Sequence, residues 1–263
     1  MDARQVINQM QSLRDEQQRL HLMRFFKTDK GQYGEGDEFL GLRVPLTRAI
    51  AKQHARLDLN QVVELLHNPY HEIRLCGLLI LVDRFERDTR HRLRNDPDAI
   101  RRRDHIVSLY LNNAHHANNW DLVDLSVYKI LGRWLLLPTF LGSADPDEAA
   151  DNHDHKIHTL DTLADDPCLW LQRMSIVATW TPTHHGDPSY CLRYAKRLLN
   201  HPHDLIQKAV GWMLREMGKC CGAEVLRDFL RQYAARMPRT ALRYAIERFD
   251  TNERAQWIKY QPS

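Results

Sequence analysis

The chain has 263 residues, of which 43% are hydrophobic and 27% charged, and its formal net charge is +3 at pH 7. This composition excludes a disordered chain, and the length suits one large domain or two small ones. Gly and Pro occur only 11 times each, which argues against a turn-rich all-β fold. The small positive charge indicates a nucleic-acid partner only if the basic side chains are clustered.

The cysteines indicate a reducing compartment. There are five, an odd number, and none forms a C-x-x-C pair. Residues 1–5 contain no apolar signal core, and the longest apolar runs, at 78–82 and 134–137, are too short to cross a bilayer. We therefore expect a cytoplasmic protein that does not span a membrane.

Helical periodicity covers most of the chain. A long amphipathic helix is predicted at 3–27, followed by a Gly-rich turn at 30–37. We prefer a turn to a phosphate loop there, because G-K-[ST] is missing and two acidic residues are present. Further helices are predicted at 45–55, 59–67, 70–87, 97–113, 119–137, 157–164, 167–180, 187–200, 204–219, 223–236 and 238–249. Since no run of alternating strands is found, we predict an all-α chain.

Four of these helices share a repeat. Each is predicted to have Pro in its first turn, an apolar residue four positions later and a basic residue five or six positions later. The prolines are Pro69, Pro167, Pro202 and Pro238, and the basic residues are Arg74, Arg173, Lys208 and Arg243. Corresponding helices of a solenoid form its concave face, so the repeat predicts a basic groove suited to a phosphate backbone. Chance recurrence in a helical protein is the alternative.

Residues 138–158 interrupt this pattern. The segment is acidic, and we expect a surface loop inserted into a single domain that covers residues 1–263. Three histidines and two aspartates between 151 and 158 also suggest a metal site, but no second Cys/His set occurs at zinc-site spacing. We therefore prefer a solvated loop, and we expect neither a metal nor a cofactor.

The stretch NNWDLVDL is the most informative of the chain. Asn118 or Asn119 is predicted to cap a helix whose first turn contains Asp121, where the helix dipole favours an acid. Trp120 and Asp124 are four residues apart and share one face of this helix. A carboxylate in such a largely apolar and aromatic setting either pairs with a cation or acts on a cationic substrate.

The helix at 204–219 carries a second pattern. Lys208, Trp212, Arg215 and Lys219 are spaced by four, three and four residues, so they form one stripe away from the apolar face. Because Lys and Arg bind phosphates and an indole contacts sugar or base, the stripe favours a nucleic-acid groove. The alternative is a Trp that an adjacent helix covers, among ordinary solvated charges.

Arg173 has only apolar neighbours on its own helix face. A buried guanidinium is costly unless it is paired, and Asp124 is the candidate partner. Two interpretations stay open. Either the pair is a buried structural salt bridge, or Arg173 orients Asp124 or binds a backbone phosphate beside it.

Several segments together resemble the AlkD-type DNA alkylation-repair glycosylase family. They are residues 30–45, 119–124, 170–177, 207–216 and 237–245. The resemblance implies a right-handed α-solenoid of HEAT-like repeats with a concave cationic groove that holds duplex DNA. It also implies a monomer without an obligate protein partner, associated with the nucleoid.

The function implied by this resemblance is excision of cationic N3- and N7-alkylated purines from double-stranded DNA by hydrolysis of the N-glycosidic bond. The implied catalytic residues are Asp124, Trp120, Trp212 and Arg173. The predicted DNA-binding residues are Lys208, Arg215, Lys219, Arg243 and Phe25, of which Phe25 stands where many relatives have a phenol. A non-catalytic HEAT-like protein that binds DNA structures is the alternative, and a protein-interaction scaffold is a third possibility.

Overall fold

The computed structural model describes residues 2–143, 145 and 148–260. These residues form fifteen α-helices and three short 3-10 helices, and their only β-pairing is two isolated bridges. The α-helices are α1 (Ala3–Ser12), α2 (Glu16–Phe25), α3 (Val44–Gln53), α4 (Leu59–Leu66), α5 (His71–Asp88), α6 (Pro97–Asn112), α7 (Trp120–Trp134), α8 (His153–Asp165), α9 (Leu169–Val177), α10 (Trp180–His184), α11 (Ser189–Arg197), α12 (Asp204–Cys220), α13 (Ala223–Tyr233), α14 (Arg239–Ala245) and α15 (Thr251–Lys259). The all-α prediction is confirmed, and the helical order is that of an α-solenoid of helical repeats.

The chain divides into two compact units. The first comprises Met1–Ser126 and Pro138–Ala150, and the second comprises Val127–Leu137 and Asp151–Ser263. The boundary therefore passes through α7. Residues 144, 146 and 147 of the predicted insertion lie outside the described residues.

Helix α5 is central to the first unit. It packs against α3, α4 and α6, and it is buried over most of its length because its sequence is apolar on nearly every face. Its first turns nevertheless contain His71, Glu72 and Arg74, all of which are buried. Buried charged groups require partners, so these residues indicate a polar network inside this unit.

Helix α12 has the same position in the second unit. It packs against α9, α10, α11, α13 and α14. Its approach to α14 depends on Gly211, where an added Cβ would lie 2.4 Å from the Ala241 carbonyl oxygen and 2.5 Å from the Tyr244 Cβ. A glycine is needed here because the neighbouring helix fills the space of a side chain.

The single helix predicted for 3–27 is wrong. The chain turns after α1, and Asp15 caps α2 by accepting from the Gln18 amide at 2.9 Å. The Asp15 amide itself donates to the Leu40 carbonyl at 3.0 Å, so a non-local contact fixes the break. Helices α10 and α15 were not predicted from the sequence.

The loop predicted for 138–158 is wrong over its last residues, since α8 begins at His153. Lys156 is fully buried, and its Nζ donates to the carbonyls of Leu135 and Leu137 and to Asp151 at 2.7 Å. These bonds tie the start of α8 to the end of α7. The three histidines of the segment therefore lie on a helix.

The repeat is also placed differently from the prediction. Pro238 is the N-cap of α14, and the other three prolines lie two residues before the first residue of α5, α9 and α12. Arg74 and Arg173 are only 4% and 5% exposed, whereas Lys208 is half-buried and Arg243 exposed. The two buried arginines of the repeat thus hold backbone carbonyls inside their units, while Lys208 and Arg243 are accessible to a ligand.

Among the described residues, no helix combines the length and the apolar character needed to cross a membrane.

Candidate functional site

Helix α7 begins as the sequence predicts. Its first residue is Trp120, whose amide donates to the Asn119 Oδ1 at 2.9 Å. Asp121 lies in the first turn, and Asp124 is half-buried one turn after Trp120. Because residues four apart lie on the same side of a helix, the indole and the carboxylate of Asp124 share one face of α7.

A buried histidine fixes the first turn of α7. The His71 Nδ1 lies 2.8 Å from Asp37, and its Nε2 lies 2.9 Å from Asp121. Since an imidazole can donate from both nitrogens only as the cation, this geometry favours the imidazolium. Burial alone lowers the pKa of His71, but the charges and hydrogen bonds of Asp121 and Asp37 outweigh it and raise the pKa to about 9.

Arg74 extends this network. Its guanidinium donates to Asp37 at 2.6 Å and to the Asn118 Oδ1 at 2.9 Å, and it also binds the carbonyl oxygens of Pro69 and His116. Burial acts to raise the pKa of Asp37, but the cations of His71 and Arg74 keep that pKa below its usual value. Asn118 therefore holds the chain before α7 to α5.

Aromatic rings cover the network and reach Trp120. Phe39 stacks on the His71 ring at 4.5 Å between centroids, and Phe26 stacks on Trp120 at 5.4 Å. Phe25 meets Trp120 edge to face at 5.9 Å and is 55% exposed. The indole is thus held from the protein side, and beside it an apolar ring without a hydroxyl faces solvent.

The surroundings of Asp124 are polar as well as apolar. Tyr110 is buried on α6 and its hydroxyl lies 2.8 Å from the Ser126 hydroxyl, two residues after Asp124. Burial holds the pKa of Tyr110 well above its usual range, and the Asp124 charge adds to that shift. A neutral phenol therefore lies close enough to Asp124 to sense its charge.

In the second unit, Arg173 lies on α9 and is 5% exposed. Its Nη1 donates to the Leu205 carbonyl oxygen at 2.6 Å, which joins α9 to the first turn of α12. This bond explains how a guanidinium is tolerated among apolar side chains. The predicted pairing of Arg173 with Asp124 stays a prediction.

The predicted stripe lies off the apolar face of α12, as its spacing indicates. Lys208, Trp212 and Arg215 are half-buried, and Lys219 is exposed. The structure adds acidic partners: Lys208 pairs with Asp204 at 2.6 Å, and Arg215 pairs with a glutamate on the segment after α14, Glu247. Lys219 lies 3.9 Å from the buried Glu216. The basic stripe is therefore lined by carboxylates.

Sequence reasoning missed the histidine and its partners. The available signal was the start of α5, where His71, Glu72 and Arg74 interrupt a run of buried apolar residues. Glu72 accepts from the amides of Leu40 and Gly41 at 2.9 and 2.8 Å, so each charged residue of this turn has a structural task. Their partners lie too far along the chain for spacing to reveal them.

Comparison with known proteins gives a family and a fold. Residues 6–249 match a family model described as DNA alkylation repair enzyme. The structure is similar to a protein described as "Predicted DNA alkylation repair enzyme from Enterococcus faecalis", with a TM-score of 0.62, 13% sequence identity and coverage of 90% of this chain and 97% of that chain. At this identity the structural likeness concerns the fold. Comparison with curated protein sequences gave no match.

Proposed function

Because the chain belongs to the DNA alkylation repair enzyme family, we propose that it is a DNA glycosylase for cationic N3- and N7-alkylated purines in duplex DNA. The main structural support is the face of α7 that presents Trp120 and Asp124 one turn apart. The buried network of His71 holds the first turn of α7 in place through Asp121. A carboxylate at a rigid, partly apolar surface is suited to stabilise a cation.

The substrate explains why one carboxylate suffices. An N-alkylated purine is already positive, so it leaves as a neutral base without protonation by an acid. The sugar left behind gains oxocarbenium character, and a negative charge beside it lowers the barrier. Asp124 supplies this charge and positions the attacking water in the proposed reaction.

Trp120, Trp212 and Arg173 complete the proposed catalytic set. The π-face of an indole attracts a cationic base or sugar, and each such contact is worth about 0.5–2 kcal/mol. Trp120 is well placed for this task because Phe25 and Phe26 hold its ring. The roles of Trp212 and Arg173 derive from the family resemblance, and they are tested by variants in the same assay.

The remaining predicted residues bind DNA in this proposal. Lys208, Arg215, Lys219 and Arg243 bind backbone phosphates, and Phe25 makes an apolar contact where relatives use a phenol. Phosphate contacts of this kind position a duplex without reading its sequence. Recognition of the lesion then comes mainly from its own positive charge.

Release of 7-methylguanine from alkylated duplex DNA tests the proposal. Asp124→Asn removes the charge at nearly constant shape, so we expect the rate to fall by a factor of about 10² to 10³, which corresponds to about 2.7–4 kcal/mol. Binding to the same duplex should stay within a factor of about two, since the substituted residue acts on the transition state.

The matched control is Asp154→Asn on α8, which should release base like the wild type. Equal rates for Asp124→Asn and wild type would refute the catalytic role of Asp124. If the wild type binds alkylated DNA without releasing any base, the non-catalytic DNA-binding alternative is correct.

A further inference from the structure

A second cluster of reactive side chains lies in the second unit, where α10 packs against α12. His184, Glu216 and Cys220 bring one nitrogen, one oxygen and one sulfur atom within 4.8 Å of one another. Glu216 and Cys220 are four residues apart on α12, so their side chains point the same way. Neither the proposed reaction nor the family description uses these three residues.

The His184 ring is held in the orientation of a metal ligand. Its Nδ1 lies 2.9 Å from the Trp180 carbonyl oxygen, which only accepts, so Nδ1 carries the proton. The Trp180 indole also stacks on the imidazole at 3.6 Å between centroids. A histidine that binds a metal through one ring nitrogen commonly donates from the other to a backbone carbonyl.

The free nitrogen faces the glutamate. The His184 Nε2 lies 3.4 Å from the Glu216 Oε2, which is longer than the usual N–H···O hydrogen bond of about 2.7–3.2 Å. A metal cation held between this nitrogen and the carboxylate would accept the lone pair of the ring and balance the negative charge of the glutamate. Two ligands at about 2.0–2.1 Å from a tetrahedral zinc ion lie roughly 3.4 Å apart, which agrees with this spacing.

We propose that His184, Glu216 and Cys220 bind one Zn²⁺, with water as the fourth ligand. On binding, the Cys220 thiol gives its proton to solvent, and the resulting thiolate and the Glu216 carboxylate together neutralise the ion. A set of one nitrogen, one oxygen and one sulfur ligand favours zinc over the hard cations Mg²⁺ and Ca²⁺.

Two neighbouring cations contact the glutamate of this site. Arg215 lies 3.7 Å from the Glu216 Oε1, and Lys219 lies 3.9 Å from its Oε2. They hold the carboxylate in its orientation. Because the ion joins α10 to α12, it stabilises the helix that carries the basic stripe. This inference does not depend on the proposed glycosylase activity.

Cobalt is the probe for the experiment, since Co²⁺ replaces Zn²⁺ and a thiolate ligand gives it a charge-transfer band in the near ultraviolet. The full-length protein is stripped with a chelator and titrated with Co²⁺. We expect the band to saturate at one equivalent, and Zn²⁺ to abolish it by displacing the cobalt. Unfolding monitored with and without one equivalent of Zn²⁺ should show a higher Tm for the loaded protein.

Two pairs of adjacent residues provide matched variants. Cys220→Ser should lose the band and bind Co²⁺ at least tenfold more weakly, whereas Cys221→Ser should keep both, because the Cys221 thiol donates to the Thr183 carbonyl oxygen. His184→Gln should weaken binding to a similar degree, and His185→Gln should not. Circular dichroism of each variant confirms the fold.

A wild-type protein without a thiolate band would overturn the proposal. So would a band that survives in Cys220→Ser or is lost in Cys221→Ser. None of these outcomes is a measurement of base release, so the zinc site and the glycosylase activity are tested independently.

Discussion

The network around His71 and the basic stripe on α12 differ in how far their charged side chains are exposed to solvent. The network around His71 in the first unit is closed, since His71 is 2% exposed and both of its nitrogens face carboxylates. The stripe on α12 in the second unit is open, and Lys219 retains 46% of its side-chain exposure. A closed network supports a fixed catalytic surface, whereas an open one can exchange its acidic partners for phosphates.

Removal of the His71 cation is expected to have the largest effect on stability. In His71→Leu the carboxylates of Asp37 and Asp121 stay buried and lose their shared partner. Breaking a buried ion pair in this way costs about 3–5 kcal/mol of unfolding free energy. Urea unfolding measures it, with His115→Leu as the control, because His115 is exposed and surface changes usually stay within about 0.5 kcal/mol. A loss below about 1 kcal/mol would show that the closed network contributes little.

The second prediction concerns pH and needs no variant. The pKa of about 9 for His71 in the folded protein lies above the ordinary histidine value of 6.5, so the protonated ring stabilises the native state. This stability is complete below about pH 6.5 and is lost as the pH rises through 9, with a total of about 3 kcal/mol at 1.36 kcal/mol per pH unit. Nitrogen chemical shifts of the ring should show the imidazolium at pH 8. A neutral ring at that pH would contradict the proposed stabilisation of the imidazolium by Asp37 and Asp121.

The same contrast explains what the sequence could predict. The start of α7 follows from local signals, an Asn before the helix and an acid in its first turn, and the structure begins the helix at Trp120. The network around His71 joins residues that are 34 and 50 positions apart, and no spacing rule connects such positions. On α12, the stripe follows from helical spacing, but Glu247 is 32 residues from Arg215 and only the packing of the fold brings them together.

The break between α1 and α2 has the same cause. The apolar pattern of residues 3–27 continues through it, so periodicity predicts one helix. The turn is fixed by the Leu40 carbonyl, which binds the Asp15 amide, and by Gly41, where an added Cβ would lie 2.1 Å from the Asp15 carbonyl oxygen. Local patterns predict helices well, whereas their interruptions depend on distant backbone.

For the open stripe we expect smaller effects that depend on salt. If Lys219 binds one phosphate, Lys219→Ala should lower the slope of log K against log salt by about 0.9 and weaken DNA binding equally on all sequences. Fluorescence anisotropy over a range of salt concentrations measures both. Arg231→Ala is the control, since its charge lies on α13 and pairs with Glu224 at 2.6 Å. An unchanged slope in Lys219→Ala would remove this residue from the DNA-binding set.

The smallest expected effect is an increase in DNA affinity, whereas Lys219→Ala should decrease it. Glu247 holds the Arg215 guanidinium through an ion pair in which the glutamate side chain is 58% exposed. Surface pairs of this kind are worth about 0.2–1 kcal/mol, and binding of a phosphate must displace the carboxylate. Glu247→Gln should therefore tighten DNA binding, by at most about fivefold. The gain should disappear when Arg215→Ala is present in the same chain, and Glu224→Gln should give none. Weaker binding in Glu247→Gln would instead mean that the carboxylate positions Arg215 for DNA, which would make this part of the stripe as preorganised as the closed network.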